Sequence, residues 1–291
     1  MIAEGVVHST TVGDGRNLAW TESGDPDGPA VIALHGTPGS RHTFAVDEEA
    51  WRSVSVRLIC PDRPGYGDSP APPQADLATF AHDIEQLADH LGLDRFAVLG
   101  HSGGGPYAAA CAGLLRDHVT RLLLVSTIGP PTSGPTPLSP RDPNARLIAF
   151  IRRCPRLANV ALTSAGFAMS RWPDRAITAL TKPMPDCDRA IAERPAIHRA
   201  LSLDLTTSGS SIGGAFGRDL LLFGQPWPVR PADITVPTEI WHGTQDRNAP
   251  IEAARRLHRH IAGSTLHELD AGHFLIYDHI AAIVRGVARS D

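Results

Sequence analysis

Short, uninterrupted apolar runs recur along the chain and alternate with stretches in which apolar residues return every three or four positions. Ala30-Val31-Ile32-Ala33-Leu34, Phe96 to Leu99 and Val119 to Val125 are of the first kind. Such runs read as strands covered on both faces, as in a parallel sheet. Val54 to Cys60, Thr238 to His242 and Thr265 to Leu269 read as further strands, and Arg16 to Ser23 as one with Leu18 and Trp20 on one face. The clearest helix is set by Leu77, Ala81, Ile84, Ala88 and Leu91, with Asp83, Glu85, Gln86 and Asp89 on its other faces and Gly92 ending it. The small residues from Pro106 to Ala112 also suit a helix. Pro250 opens another, where its missing N–H costs nothing. Phe274, Tyr277, Ala281, Val284 and Ala288 mark a closing amphipathic helix. Alternation of this kind predicts an α/β fold, a parallel sheet with helices on its faces, whose ligands sit at the carboxyl ends of the strands. His35, Asp62 and Ser102 all fall at such ends. No internal repeat is visible at a fixed period.

The pattern breaks at Gly129. Gly129-Pro130-Pro131-Thr132-Ser133-Gly134-Pro135 cannot be the interior of a strand or helix. From there to about Arg230 only helical patches follow: Asn144 to Ile151, Leu157 to Met169 and Asp188 to Ser202. This predicts a core made of residues 1–128 and 232–291, with residues 129–231 inserted as a helical cap. Phe167, Met169 and Trp172 read as the cap's own core rather than as a ligand wall. Thr206 to Gly214, rich in Ser, Thr and Gly, reads as its loosest part.

Composition narrows the field. The 291 residues suit one large α/β domain with an insertion, and 42% hydrophobic and 20% charged residues are ordinary for a globular protein. A net charge of −4 with no basic block makes nucleic acid and anionic membrane poor partners. No apolar run approaches the roughly 18 residues of a membrane span, and Met1-Ile2-Ala3-Glu4-Gly5 does not begin a signal peptide. Cys60, Cys111, Cys154 and Cys187 share no Cys-x-x-Cys spacing, which speaks against metal or redox use and fits reduced thiols in a cytoplasm.

The chemistry centres on Val98-Leu99-Gly100-His101-Ser102-Gly103-Gly104. An apolar strand, Gly-x-Ser-x-Gly and a small-residue helix in succession make a nucleophile elbow. Its glycines let the turn close so tightly that Ser102 Oγ stands at the amino end of the next helix. Gly209-Ser210-Ser211-Ile212-Gly213 matches the same pattern, but Thr206, Thr207 and Ser208 precede it instead of a strand, so it reads as a polar loop.

A serine hydroxyl needs an adjacent base, and the base an orienting carboxylate. In this architecture the order is Ser, acid, His, each after a different strand. Ser102, Asp246 and His273 meet that order and placement. The segment after Val119 to Val125 offers Ser126 and Thr127 and no rival acid. The backbone N–H groups of Thr37 and Gly103 are the expected oxyanion donors.

His35-Gly36-Thr37-Pro38-Gly39, Asp62-Arg63-Pro64-Gly65-Tyr66-Gly67, Gly100-His101-Ser102-Gly103-Gly104, His242-Gly243-Thr244-Gln245-Asp246 and Gly272-His273 resemble the successive signature segments of the α/β-hydrolase superfamily. The resemblance covers the chain except the cap. It implies a mostly parallel eight-stranded sheet, a cap inserted after the sixth strand, and neither cofactor nor metal. Serine at the elbow argues against the aspartate-nucleophile branches, the haloalkane dehalogenases and epoxide hydrolases. The expected activity is hydrolysis of an ester, thioester or lactone of a small, largely apolar molecule. The alternatives are carbon–carbon bond hydrolysis, a lyase or cofactor-free peroxidase-like activity, a proline iminopeptidase, or a low-turnover small-molecule receptor. The iminopeptidase is weakened by Thr37, where such enzymes usually carry a second glycine. Oligomeric state is not legible.

Overall fold

The computed structural model describes residues 6–46, 51, 54–131, 143–209 and 212–287. Its eight strands are β1 (Val7–Val12), β2 (Arg16–Gly24), β3 (Ala30–Leu34), β4 (Arg57–Pro61), β5 (Phe96–His101), β6 (Val119–Val125), β7 (Thr238–Gly243) and β8 (Thr265–Leu269). They form one sheet in the order β1-β2-β4-β3-β5-β6-β7-β8. β1 and β2 pair antiparallel, as do β2 and β4, and the remaining pairs are parallel. The strand that sequence reading missed is β1. Its residues Val-His-Ser-Thr-Thr-Val lie at the sheet's edge, mostly exposed, so no buried run marks it.

Successive strand residues point to opposite faces, and both faces are buried. Ile32, Val98, Leu122 and Ile240 pack with Phe80, Ile84, Leu87 and Leu257 on one side. Val31, Leu58, Leu99 and Leu123 pack with Phe44, Trp51, Ile280 and Ile283 on the other. The flanking helices are α1 (Leu77–Leu91) and α2 (Gly105–Leu114), and, after the insertion, α9 (Ile251–His260) and α10 (Ile276–Val284). Asp76 caps α1 by accepting the Thr79 N–H at 2.8 Å, and Gly92 ends it in the left-handed conformation. Phe274 lies just before α10, and Ala288 lies outside the described residues.

Between β6 and β7 the described chain is helical: α3 (Pro143–Arg153), α4 (Pro155–Arg171), α5 (Pro173–Thr181), α6 (Asp186–Ala192), α7 (Pro195–Ser208) and α8 (Ile212–Phe223). Asp188 to Ser202, read as one helix, is two, broken where Pro195 cannot continue the first. The loose loop expected from Thr206 to Gly214 is corrected as well: Thr206–Ser208 end α7 and Ile212 begins α8. Met169 packs with Ala176, Ile177 and Leu205 from the neighbouring helices. Phe167 and Trp172 do not; they are 62% and 51% exposed. The second Gly-x-Ser-x-Gly match falls at the α7–α8 junction, and its Ser210 and Ser211 lie outside the described residues. A Cβ on its Gly213 would stand 2.2 Å from Thr163 Oγ1, so that glycine lets α8 approach α4. All four cysteines are free. No helix among the described residues is long and apolar enough to cross a membrane.

Candidate active site

Ser102 sits where β5 turns into α2 through a single 3-10 turn, Ser102–Gly104. Its φ is +53°, a left-handed conformation that costs a non-glycine residue on the order of 1–3 kcal/mol. The turn closes against β3: a Cβ on Gly104 would lie 2.1 Å from the Leu34 carbonyl oxygen. Only glycine fits there.

His273, in the loop between β8 and α10, brings its Nε2 to 3.0 Å from Ser102 Oγ. Its Nδ1 lies 2.8 Å from Asp246 Oδ2, in the loop after β7. An ionised carboxylate only accepts hydrogen bonds, so Nδ1 carries the proton and the Nε2 lone pair faces the serine hydroxyl. Asp246 Oδ1 accepts the backbone N–H groups of Asn248, at 2.8 Å, and Ala249, at 2.9 Å. Burial disfavours its charge. The neighbouring His273 and its hydrogen bond, the Ala249 N–H and His242 outweigh that, and the carboxyl is held below its usual range.

Three further histidines lie near these residues, and burial disfavours the charged form of each. His101 is pushed down to about 3, first by burial and then by His273. His35 lies well below its ordinary value through burial and the charge of Arg63, and His242 is lowered by burial. His35 donates from Nδ1 to the Gly36 carbonyl at 2.9 Å and accepts the Arg63 N–H on Nε2 at 3.0 Å. It braces a loop. Asp62, the other strand-end residue singled out by sequence, is also structural: it accepts the backbone N–H of Arg41 at 2.8 Å and of Asp68 at 3.1 Å and pairs with the Arg41 guanidinium.

Thr37 follows β3, and its side chain faces the elbow: a Cβ on Gly103 would meet Thr37 Oγ1 at 2.3 Å. The Gly103 backbone follows Ser102 directly within the 3-10 turn, and Thr37 lies across from it. Phe223 at the end of α8 closes over the same place, its Cζ 3.1 Å from that Gly103 position. No group of three or more His, Cys, Asp or Glu side chains among the described residues is arranged to hold a metal ion.

Sequence reading missed residues that frame this site from the inserted helices. Asp219 on α8 accepts on Oδ2 from Arg63 Nη1 at 2.8 Å, Thr37 Oγ1 at 2.6 Å and the Tyr66 hydroxyl at 2.9 Å, and on Oδ1 from the Tyr107 hydroxyl at 2.7 Å. Burial, then the charge of Asp219, pushes both phenols well up, so they remain donors. Arg63 in turn binds the carbonyls of His35, at 3.0 Å, and Gly36, at 2.8 Å. Asp188 on α6 accepts the backbone N–H groups of His273 and Phe274, each at 2.8 Å. A lone acid among the apolar residues of Ile212–Phe223 was a usable signal for Asp219. Asp188 gave none, because its partners are backbone groups.

Comparison with known proteins agrees with this architecture. A profile of the alpha/beta hydrolase fold matches residues 29–280. An uncharacterized protein of Mycobacterium tuberculosis is 28% identical, the match covering 90% of this chain and 75% of that protein. The dihydrolipoyllysine-residue acetyltransferase component of the acetoin cleaving system of Pseudomonas putida is 32% identical over 40% of this chain and 31% of its own length. A soluble epoxide hydrolase of a Corynebacterium species is 33% identical, and the match covers 42% of each chain. The match thus spans less than half the length of these last two relatives. Among solved structures, the enol-lactonase of Burkholderia xenovorans superposes with a TM-score of 0.71 at 20% identity, covering 96% of this chain and 99% of the other. The esterase EaEST of Exiguobacterium antarcticum gives 0.70 at 24%, covering 97% and 99%. Identities this low speak for the fold alone. The profile match runs from β3 into α10, through every loop that carries the serine, the acid and the histidine, and the chain belongs to the alpha/beta hydrolase fold family.

Proposed function

We propose that this protein is a serine hydrolase that cleaves an ester, thioester or lactone of a small, largely apolar molecule through an acyl-enzyme on Ser102. The observation that carries the reading is the unbroken chain of hydrogen bonds from Ser102 Oγ to His273 Nε2, at 3.0 Å, and from His273 Nδ1 to Asp246 Oδ2, at 2.8 Å. The imidazole takes the serine proton as Oγ attacks the carbonyl carbon. Asp246, already ionised, stabilises the imidazolium, which then protonates the leaving group. Water deprotonated by His273 attacks the acyl-enzyme and releases the acid. The amides of Thr37 and Gly103 receive the oxyanion, each such donor being worth about 2.7–4 kcal/mol in the transition state. These steps need only groups of the chain and water.

Residues 129–231 form the cap in this reading, and Phe223 is part of its apolar wall over the elbow. The soluble epoxide hydrolase relative does not shift the reaction class, because serine occupies the elbow here. The test is turnover of a chain-length series of p-nitrophenyl esters by wild type and Ser102→Ala. Rapid hydrolysis by wild type, lost in a folded Ser102→Ala, supports the reading, and the optimum length sizes the acyl pocket. A Ser102→Ala protein that still turns over contradicts it.

A further inference from the structure

We propose that Asp188 is a positioning residue for His273, and that Asp219 is its counterpart for the loop carrying the Thr37 amide, so that helices α6 and α8 of the insertion set the geometry of both the base and the oxyanion site. The proposal rests on the acyl-transfer reading above.

Three buried carboxylates reach from the inserted helices into the core: Asp188, Asp204 and Asp219, all less than 9% exposed. They do different things there. Asp188 binds the backbone at the base itself, with Oδ2 on the N–H of His273 and Oδ1 on that of Phe274, each at 2.8 Å. The preceding glycine is moulded to it: a Cβ on Gly272 would lie 2.3 Å from Asp188 Cγ and from both carboxylate oxygens. His273 is thereby held at two points by two carboxylates from separate parts of the chain. Asp246 fixes the ring through Nδ1 and Asp188 fixes the main chain. Ser102, locked in its strained turn, cannot follow if the imidazole drifts. A shift of about 1 Å in a reacting group costs on the order of 10²-fold in rate. Asp219 works at the other side of the serine. With Arg63 it grips the Thr37 hydroxyl, at 2.6 Å and 2.7 Å, beside the Gly36 carbonyl that Arg63 also binds. Asp204, on α7, binds the Ser40 N–H at 3.1 Å and the hydroxyls of Ser40, at 2.6 Å, and Thr43, at 2.7 Å. It has no bond to Ser102, His273 or Thr37, and it serves as the internal control.

The experiment compares steady-state kinetics and the low-field proton NMR signal of the His273 Nδ1–H in wild type, Asp188→Asn, Asp188→Ala, Thr37→Val and Asp204→Asn. Positioning predicts that kcat falls about 100-fold in Asp188→Ala and about tenfold in Asp188→Asn, which keeps one acceptor oxygen. KM stays within about threefold, and the low-field signal shifts or broadens. Thr37→Val, which cuts the hydroxyl link and spares the Arg63–Asp219 pair, lowers kcat about tenfold with the signal unchanged. Asp204→Asn alters neither kcat nor the signal. If these carboxylates only fasten the insertion to the core, Asp188→Asn and Asp204→Asn lose thermal stability alike and keep wild-type kcat and the wild-type signal; that result overturns the proposal. Should Asp188→Ala fail to fold, the near-isosteric Asn variant decides. Should wild type hydrolyse nothing, the hydrolase reading fails separately, and the NMR comparison still reports whether Asp188 orients the His273–Asp246 pair.

Discussion

At the scale of the residue, the reaction turns on which groups hold protons. Asp246 is held below the usual carboxylate range and His101 is pushed down to about 3. In the proposed reaction a single general base must be free of its proton before the serine can attack. We therefore expect log kcat/KM for the ester substrate to rise with pH with unit slope on the acid side, one proton lost per active site. A slope of two would mean that a second group must also ionise. Asp246→Asn should lower kcat by about 10⁴-fold with the serine turn intact, since an amide facing Nδ1 favours the wrong tautomer. That Ser102, His273 and Asp246 come together was legible in the sequence, because each follows a strand end in a fixed order. Asp62 and His35 shared that placement, and the structure gives them bracing roles. Strand-end position alone does not separate a reacting group from one that shapes the loop beside it.

At the scale of the element, the elbow depends on space more than on sequence pattern. A Cβ on Gly104 meets the Leu34 backbone oxygen at 2.1 Å, and no rotamer change relieves a contact with backbone. Gly104→Ala should destabilise the fold by about 1–3 kcal/mol or more, read as a lower melting temperature, and should displace Ser102. A Gly104→Ala protein with wild-type stability and turnover would show that the β3–α2 approach is looser than drawn. The Gly209–Gly213 match shows the converse. It carries the same motif at a helix junction, where Gly213 makes room for Thr163. The flanking apolar strand, visible before Ser102 and missing before Ser210, separated the two. Helix α8 escaped sequence reading because Gly213, Gly214 and Gly217 weaken helix propensity, and packing against α4 overrides it.

At the scale of the whole molecule, the inserted helices are fastened to the core by buried charge. Removing Asp219 would strand Arg63, fully buried, without its counter-charge, a loss on the order of 3–5 kcal/mol. Asp204 behaves differently. Burial raises its carboxyl to about 7, against the hydrogen bonds from Ser40 and Thr43 and with the charge of Asp62 adding to the rise. A folded value above the unfolded one means that the folded protein holds the proton more tightly. Its contribution to stability is complete below about pH 4 and is lost as pH rises towards about 7. Melting temperatures measured from pH 5 to pH 8 should therefore fall less in Asp204→Asn than in wild type. An equal fall in both would mean that Asp204 titrates alike in the folded and unfolded chain. Of this junction only Asp219, a lone acid in an apolar segment, left a usable signal in the sequence. The partners of these acids, Ser40, Arg63 and the His273 amide, are more than 80 residues away in the chain, beyond the reach of any local pattern.

The most direct measurement of the central claim is the intact mass of the protein after brief exposure to a fluorophosphonate, followed by mapping of the labelled peptide. A serine activated by His273 takes up one label per chain, on Ser102, and His273→Ala slows that uptake by orders of magnitude. No uptake by folded wild type, or a label on another residue, would contradict the assignment of Ser102 as the nucleophile.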